Sequence, residues 1–300
     1  MGDLLGRGPA PRRRLRELLA APEPLVAPGA YDALTARLIE QAGFDVVYMT
    51  GFGTTASLIG RPDVGLLTGT EMIDNARRIV SAVDVPVIAD ADTGYGNALN
   101  VVRTVQAYEQ AGVAGIHLED QVSPKKCGHM SGKAVIPRAE MVGKLHAAVE
   151  ARRDPDFVLI ARTDAAAVTG LSDAIDRARA YVEAGADVLF VEAPTSEEDI
   201  ATVAEALSGV APLVFNWAEG GRTPPLSLER IAELGFSLVL YPIGTVLAAT
   251  AGVRALLETV RKDGTPAAAL PGLPSFGEFT DLIGLPEVGE LEQRFAGEAG

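Results

Sequence analysis

Short apolar runs recur along the chain, each announced by an amphipathic stretch and a glycine. "EQAGFDVVYM" (40–49), "EQAGVAGIHL" (109–118), "VEAGADVLFV" (182–191) and "AELGFSLVLY" (232–241) share this phrase. In each, the glycine suits the left-handed position just past a helix end, and the β-branched run after it predicts a strand. Further apolar runs fall between them: "PLVAPG" (24–29), "VPVIADAD" (85–92), "FVLIARTD" (157–164) and "PLVFNW" (212–217). These runs are apolar throughout, as expected when both faces of a parallel sheet are buried. Helical patterns over 31–41, 97–110, 138–152, 173–182 and 196–207 alternate with them. Eight βα units predict an α/β fold, the (β/α)8 barrel, as a single domain over 1–300. An open doubly wound sheet fits less well, because no G-x-G-x-x-G follows the first strand.

The flanks read as helices. "PRRRLRELLA" (11–20) predicts an amphipathic N-terminal helix within 1–22, and no apolar stretch of signal-peptide length follows it. After the eighth strand, "TVLAATAGVRALLETVRKDG" predicts a helix, "TPAAALPGLPSFGEF" a Pro/Gly-rich link, and 287–295 a last acidic helix. The segment 245–300 is therefore expected to be helical and to pack on a partner subunit. Nowhere do about 18 consecutive apolar residues occur, so no membrane span is expected.

Composition narrows the partners. The formal net charge of −14 would repel a nucleic-acid backbone or an anionic lipid surface, so neither is expected as a partner. The one cysteine in 300 residues cannot close an internal disulfide, which fits a reducing, cytoplasmic location.

In a barrel enzyme the chemistry lies on the loops at the C-terminal strand ends. There the sequence places Tyr48, Thr50 and Gly51 after the second strand, Asp90 and Asp92 at the third and Glu119 at the fourth. Arg162 and Asp164 follow the fifth strand, Glu192 the sixth and Asn216 the seventh. Asp90 and Asp92 are two apart, so on an extended strand both carboxylates project to one side, and Glu119 can point into the same mouth. Any one acid could serve only as a helix cap; three on adjacent strand ends are better explained as hard oxygen ligands for Mg2+ or Mn2+, with zinc disfavoured.

"SPKKCGHMSGK" (123–133) is too irregular for helix or strand and is expected to be a mobile lid. Cys127 sits between Lys126 and His129, an electropositive setting expected to lower its thiol pKa and make it a usable proton donor or acceptor.

Together "YMTGFGTTAS", "DADTGYGN", "HLEDQ", "PKKCGH", "ARTDA", "FNWAEGGRTP" and "SFGEFTDLIGL" resemble the isocitrate lyase and phosphoenolpyruvate mutase superfamily, from about residue 28 to about residue 285. The likeness is closest to its short members: 2-methylisocitrate, dimethylmalate and petal-death-type lyases, and carboxyphosphoenolpyruvate phosphonomutase. It implies a homotetramer with a C-terminal helix swapped between subunits, a small carboxylate substrate and one Mg2+, with Asp90, Asp92 and Glu119 at the metal and Asp63 supporting its shell. It further implies that amides at Thr50, Gly51 and Phe52 hold a substrate carboxylate and that Arg162 grips a carboxylate or the reacting oxygen. Glu192, Asn216 and His129 line the pocket, with Lys125 and Cys127 in the catalytic lid.

In the lyases of this superfamily the lid cysteine protonates the carbanion left when the C2–C3 bond of a 2-hydroxy acid breaks, and Tyr48 is the candidate beside the substrate hydroxyl. The sequence lacks the large insertion of long isocitrate lyases, and its "KKCGH" lid differs from the Asn-containing lid of phosphoenolpyruvate mutases. Pro242 in "YPIG" resembles the lyase pattern over that of oxaloacetate hydrolases. A carbon–carbon lyase acting on a 2-methylisocitrate or 2-alkylmalate type of substrate is thus the expectation. A phosphonomutase or oxaloacetate hydrolase is the alternative, and a non-catalytic binding barrel would be expected to have lost some of these groups.

Overall fold

A computed structural model of the chain describes residues 11–296. Eight short strands, β1 (Leu25–Ala30), β2 (Val47–Met49), β3 (Val87–Asp90), β4 (Gly115–Glu119), β5 (Val158–Thr163), β6 (Val188–Val191), β7 (Val214–Asn216) and β8 (Leu238–Tyr241), pair in parallel in the order β6-β5-β4-β3-β2-β1-β8-β7. A single parallel bridge between Leu189 and Leu213 joins the two ends, so the sheet closes on itself as the expected (β/α)8 barrel.

Closure explains why the strands read as continuous apolar runs. Inward residues, including Ala27, Tyr48, Ile88, Val158, Ile160, Phe190 and Leu240, fill the barrel, while outward ones such as Val47, Ala89, Ile116 and Leu159 pack under the helices. The N-terminal basic stretch forms α1 (Pro11–Leu19), whose Leu15 and Leu19 belong to the inward cluster. Arg12 of α1 donates to the carbonyl of Val113 at 3.2 Å and Arg16 to Asp187 at 3.0 Å, tying the helix to the loops that enter β4 and β6. That end of the barrel is therefore plugged, which leaves the opposite mouth for chemistry.

The outer helices are α2 (Ala33–Gln41), α3 (Gly51–Ile59), α4 (Gly69–Val80), α5 (Ala98–Ala111), α6 (Arg138–Ala151), α7 (Leu171–Glu183), α8 (Glu197–Leu207) and α9 (Leu228–Glu233). The five helical patterns read from the sequence correspond to α2, α5, α6, α7 and α8. Of the described residues, 11–245 form one compact unit and 246–296 another. The second holds most of α10 (Gly244–Asp263) with α11 (Phe276–Leu282) and α12 (Leu285–Phe295), and many of its large apolar side chains are exposed, including Leu257, Phe276, Leu285 and Phe295. Among the described residues no helix is long and apolar enough to cross a membrane.

Candidate active site

At the C-terminal mouth a cavity of about 190 Å³ is lined by Tyr48, Thr50, Phe52, Asp63, Asp90, Lys125, Cys127, His129, Arg162, Glu192, Asn216 and Pro242, among others. A larger cleft, about 320 Å³, lies between α4 and α5 and gathers none of the catalytic candidates. Sequence distance collapses in the first cavity because each residue ends a strand or follows one, and closure brings the strand ends into one ring.

Thr50 is the N-cap of α3, and its hydroxyl accepts from the Gly53 amide. Of the three amides expected to hold a carboxylate, that of Thr50 is already spent on the carbonyl of Ala30 at 3.1 Å. The N–H groups of Gly51 and Phe52 lie in the first turn of α3, where a helix leaves its donors without intrahelical partners and favours an anion. Gly51 is required there, since a Cβ at this position would overlap the Asp90 carboxylate.

Arg162 is more constrained than expected. Its guanidinium forks onto Asp164 at 2.9 and 3.1 Å, lies 3.3 Å from Glu119 and 3.8 Å from Glu192, and rests over the Phe190 ring. Burial works against its charge, but the carboxylates of Asp164, Glu119 and Glu192 outweigh burial and hold it firmly protonated. Glu192 accepts from Asn216 at 3.1 and 3.2 Å and lies 3.2 Å from His129. Burial alone would raise its pKa; Arg162 and His129 hold it well below the usual carboxylate range. The Nδ1 of His129 accepts from the Arg222 amide at 3.0 Å, which leaves Nε2 to carry the proton toward Glu192.

Asp90 and Glu119 end β3 and β4, but Asp92 does not share an extended strand with Asp90 as expected: it lies two residues past β3 at φ 47°, a left-handed conformation that Asp tolerates, with its amide donating to Asp90 Oδ1 at 2.9 Å. Lys125 departs from expectation. Expected in a mobile lid, it is buried: its ammonium donates to Asp63 at 2.7 Å and pairs with Asp92 Oδ1 at 2.8 Å. Asp63 is thus the partner of Lys125 in this structure. Among the described residues no three acidic, His or Cys side chains already converge as a metal cluster. Both carboxylate oxygens of Glu119 are nevertheless buried without a hydrogen-bond partner, the Arg162 guanidinium lying 3.3 Å away, and burial pushes the Glu119 pKa well up. Unsatisfied hard oxygens of this kind fit a divalent cation of the Mg2+ class.

The expected pKa of Cys127 is corrected. Burial pushes the thiol up, and Asp63 and Glu192 add to this, against the lowering effects of the His129 amide and Arg162. The electropositive neighbours in the sequence are spent elsewhere: Lys125 on Asp63, and Lys126 on the carbonyl of Gly132. Cys127 is therefore a protonated thiol, suited to give a proton.

The lid is docked. Its base is an antiparallel bridge between Gln121 and Val135, and Lys133 bonds Asp164 at 2.7 Å. His117 escaped the sequence reading. It lies two residues before Glu119 on β4, hence on the same inward face, and its Nε2 is 2.8 Å from the Tyr48 hydroxyl and 3.4 Å from Asp90. The period of a strand was the signal that could have found it. Ile243, Ala218 and Glu219 also frame the cavity; Glu219 accepts from the amides of Ile243 and Gly244 at 3.0 and 2.7 Å, fastening the loop after β7 to the end of β8.

A plugged barrel with a ring of acids, one clamped arginine and a thiol-bearing lid over its open mouth is the arrangement of a barrel enzyme. Residues 15–261 match the family model described as phosphoenolpyruvate phosphomutase. The chain is 50% identical to a 2,3-dimethylmalate lyase of Eubacterium barkeri (94% of this chain, 97% of the relative) and 43% identical to a probable 2-methylisocitrate lyase of Corynebacterium glutamicum (94% and 92%). A crystal structure of 2,3-dimethylmalate lyase superposes with a TM-score of 0.90 at 39% identity, covering 98% of each chain. One of phosphonopyruvate hydrolase with oxalate and Mg2+ does so at 0.87 and 34%, covering 95% and 99%. The chain belongs to the phosphoenolpyruvate mutase/isocitrate lyase superfamily.

Proposed function

We propose that this chain is a carbon–carbon lyase that cleaves the C2–C3 bond of a 2-alkylmalate type of 2-hydroxy dicarboxylate, giving a 2-oxo acid and a short carboxylate. The observation that supports the reading is a protonated thiol lining one cavity with the first turn of α3 and a clamped arginine. The Gly51 and Phe52 amides bind the C1 carboxylate and Arg162 faces the reacting end. Tyr48, oriented by His117, stands at the C2 hydroxyl, and the Tyr48–His117 hydrogen bond gives the hydroxyl proton a path away from the oxygen. As C2 becomes a carbonyl, the electron pair of the C2–C3 bond passes to C3, and Cys127 gives C3 its proton. The docked lid keeps bulk water from doing so first. Asp90 and Asp92, with Glu119 behind them, would hold a divalent cation, Mg2+ or Mn2+, whose charge stabilises the oxygen of the developing 2-oxo acid.

The dicarboxylate is favoured over a tricarboxylate by the cavity wall. Phe52, Met130, Ala218, Pro242 and Ile243 are apolar, and the lining bases Lys125, Arg162 and His129 are each engaged with carboxylates of the protein. A third carboxylate placed against that wall would lose its hydration without gaining a partner. The relative named 2,3-dimethylmalate lyase supports the same choice. The test is 2-oxo acid release from 2,3-dimethylmalate and 2-methylisocitrate, with oxalate release from oxaloacetate measured alongside. Higher kcat/KM with 2,3-dimethylmalate is expected; preference for 2-methylisocitrate would overturn the dicarboxylate assignment, and no 2-oxo acid from either of the first two would overturn the lyase.

The exposed apolar side chains of α10 to α12 support a further part of the reading: this helical unit packs on a partner subunit in a homotetramer. Light scattering that finds a monomer at micromolar concentration would exclude it.

A further inference from the structure

The lid meets the barrel through a contact unlike its ion pairs. Gln121, just past the Glu119–Asp120 pair at the end of β4, is buried, and its side-chain amide pairs with the backbone of Lys126 in both directions. Nε2 donates to the Lys126 carbonyl at 2.7 Å, and Oε1 accepts from the Lys126 amide at 3.0 Å. Its main chain meanwhile bridges Val135 at the other end of the lid, where the Val122 amide donates to Ala134 at 2.8 Å. One residue therefore grips both limbs of the lid, one through its backbone and the other through a side chain that imitates a backbone. The gripped residue is adjacent to Cys127, whose own amide donates to the Asp63 carbonyl at 3.1 Å.

We infer that Gln121 is a positioning residue for proton delivery: its carboxamide sets the register of Lys125–Cys127 against the barrel, so that the thiol lies over the cavity. Gln121 does not line the cavity and acts through Cys127. A glutamine suits the task because a planar amide offers a donor and an acceptor side by side, as a peptide group does. Glutamate would keep the acceptor and turn a negative oxygen toward the Lys126 carbonyl; methionine would fill the space and satisfy neither group.

The inference rests on the lyase reading, and one arm of its test does not. Gln121→Met and Gln121→Glu are compared with wild type in the Mg2+-loaded enzyme. Loss of two hydrogen bonds is expected to lower kcat about 10- to 100-fold in Gln121→Met, with Mn2+ affinity unchanged and, because the lid can release locally and leave its polar groups to water, a melting temperature within about 2 °C of wild type. In a Cys127→Ser background the same change should cost little more, because the two residues serve one step. A merely structural role would lower the melting temperature and add its full effect to that of Cys127→Ser. With Mg2+ and oxalate bound, trypsin should cut after Lys126 much faster in both variants than in wild type. Should wild type release no 2-oxo acid, the lyase reading fails and the protease arm still tests the lid. Wild-type kcat and protection in Gln121→Met, additivity with Cys127→Ser, or loss of folded protein in both variants would overturn the inference.

Discussion

Gly128, next to the proposed acid, offers a test in which one methyl group opposes lid closure. A Cβ built there would overlap Glu192 Oε1 and lie 2.5 Å from Arg162 Nη2 and 2.6 Å from Glu192 Cδ. Ordinary contact is about 3.4 Å or more, so Gly128→Ala needs the lid to retreat by at least about 1 Å. Neither neighbour can give way instead: Arg162 is forked onto Asp164, and Glu192 is held by Asn216 and lies against His129. Gly128 is not among the residues with positive φ, so alanine brings no backbone strain and the effect is steric. A misplacement of about 1 Å can cost about 10²-fold in rate, and we expect kcat to fall by that factor. The barrel loses no packing, so the melting temperature should stay within about 2 °C of wild type. The assay is pyruvate release from 2,3-dimethylmalate, with thermal melting alongside. Turnover within threefold of wild type would show that the lid does not seat against Arg162 and Glu192 during catalysis, and would refute the reasoning.

Cys127→Ser should lower turnover about 10² to 10⁴-fold, the usual contribution of a positioned acid, while Mn2+ binding survives; near wild-type turnover removes the thiol from the mechanism. Because burial raises the Cys127 pKa, its alkylation by iodoacetamide should be slow at pH 7 and still rising at pH 9, whereas a lowered pKa would give a rate already level by pH 8. The sign follows from reactivity: only the thiolate attacks, and a raised pKa delays its appearance as pH rises. Treatment with EDTA should abolish turnover and Mg2+ or Mn2+ should restore it; full activity without metal would exclude the cation assigned to Asp90, Asp92 and Glu119.

The barrel was legible in the chain because its cause is local. A helix end, a glycine and a β-branched run repeat every few tens of residues, and each repeat carries its own periodicity. The acids at Asp90, Asp92 and Glu119 were legible for the same reason, since they sit where an apolar run stops. What Lys125 and Cys127 do was not. In sequence they read as a basic, mobile, reactive stretch; in the fold Asp63, some sixty residues earlier, takes the lysine's charge, and burial raises the thiol. A pKa depends on desolvation and on charges summed through space, and neither has a sequence period. The amide of Thr50 was lost to Ala30 by strand pairing, and the grip of Gln121 on Lys126 required a loop to fold back on its own stem. Tertiary structure decided which of the chain's polar groups are spent on one another and which remain for a substrate.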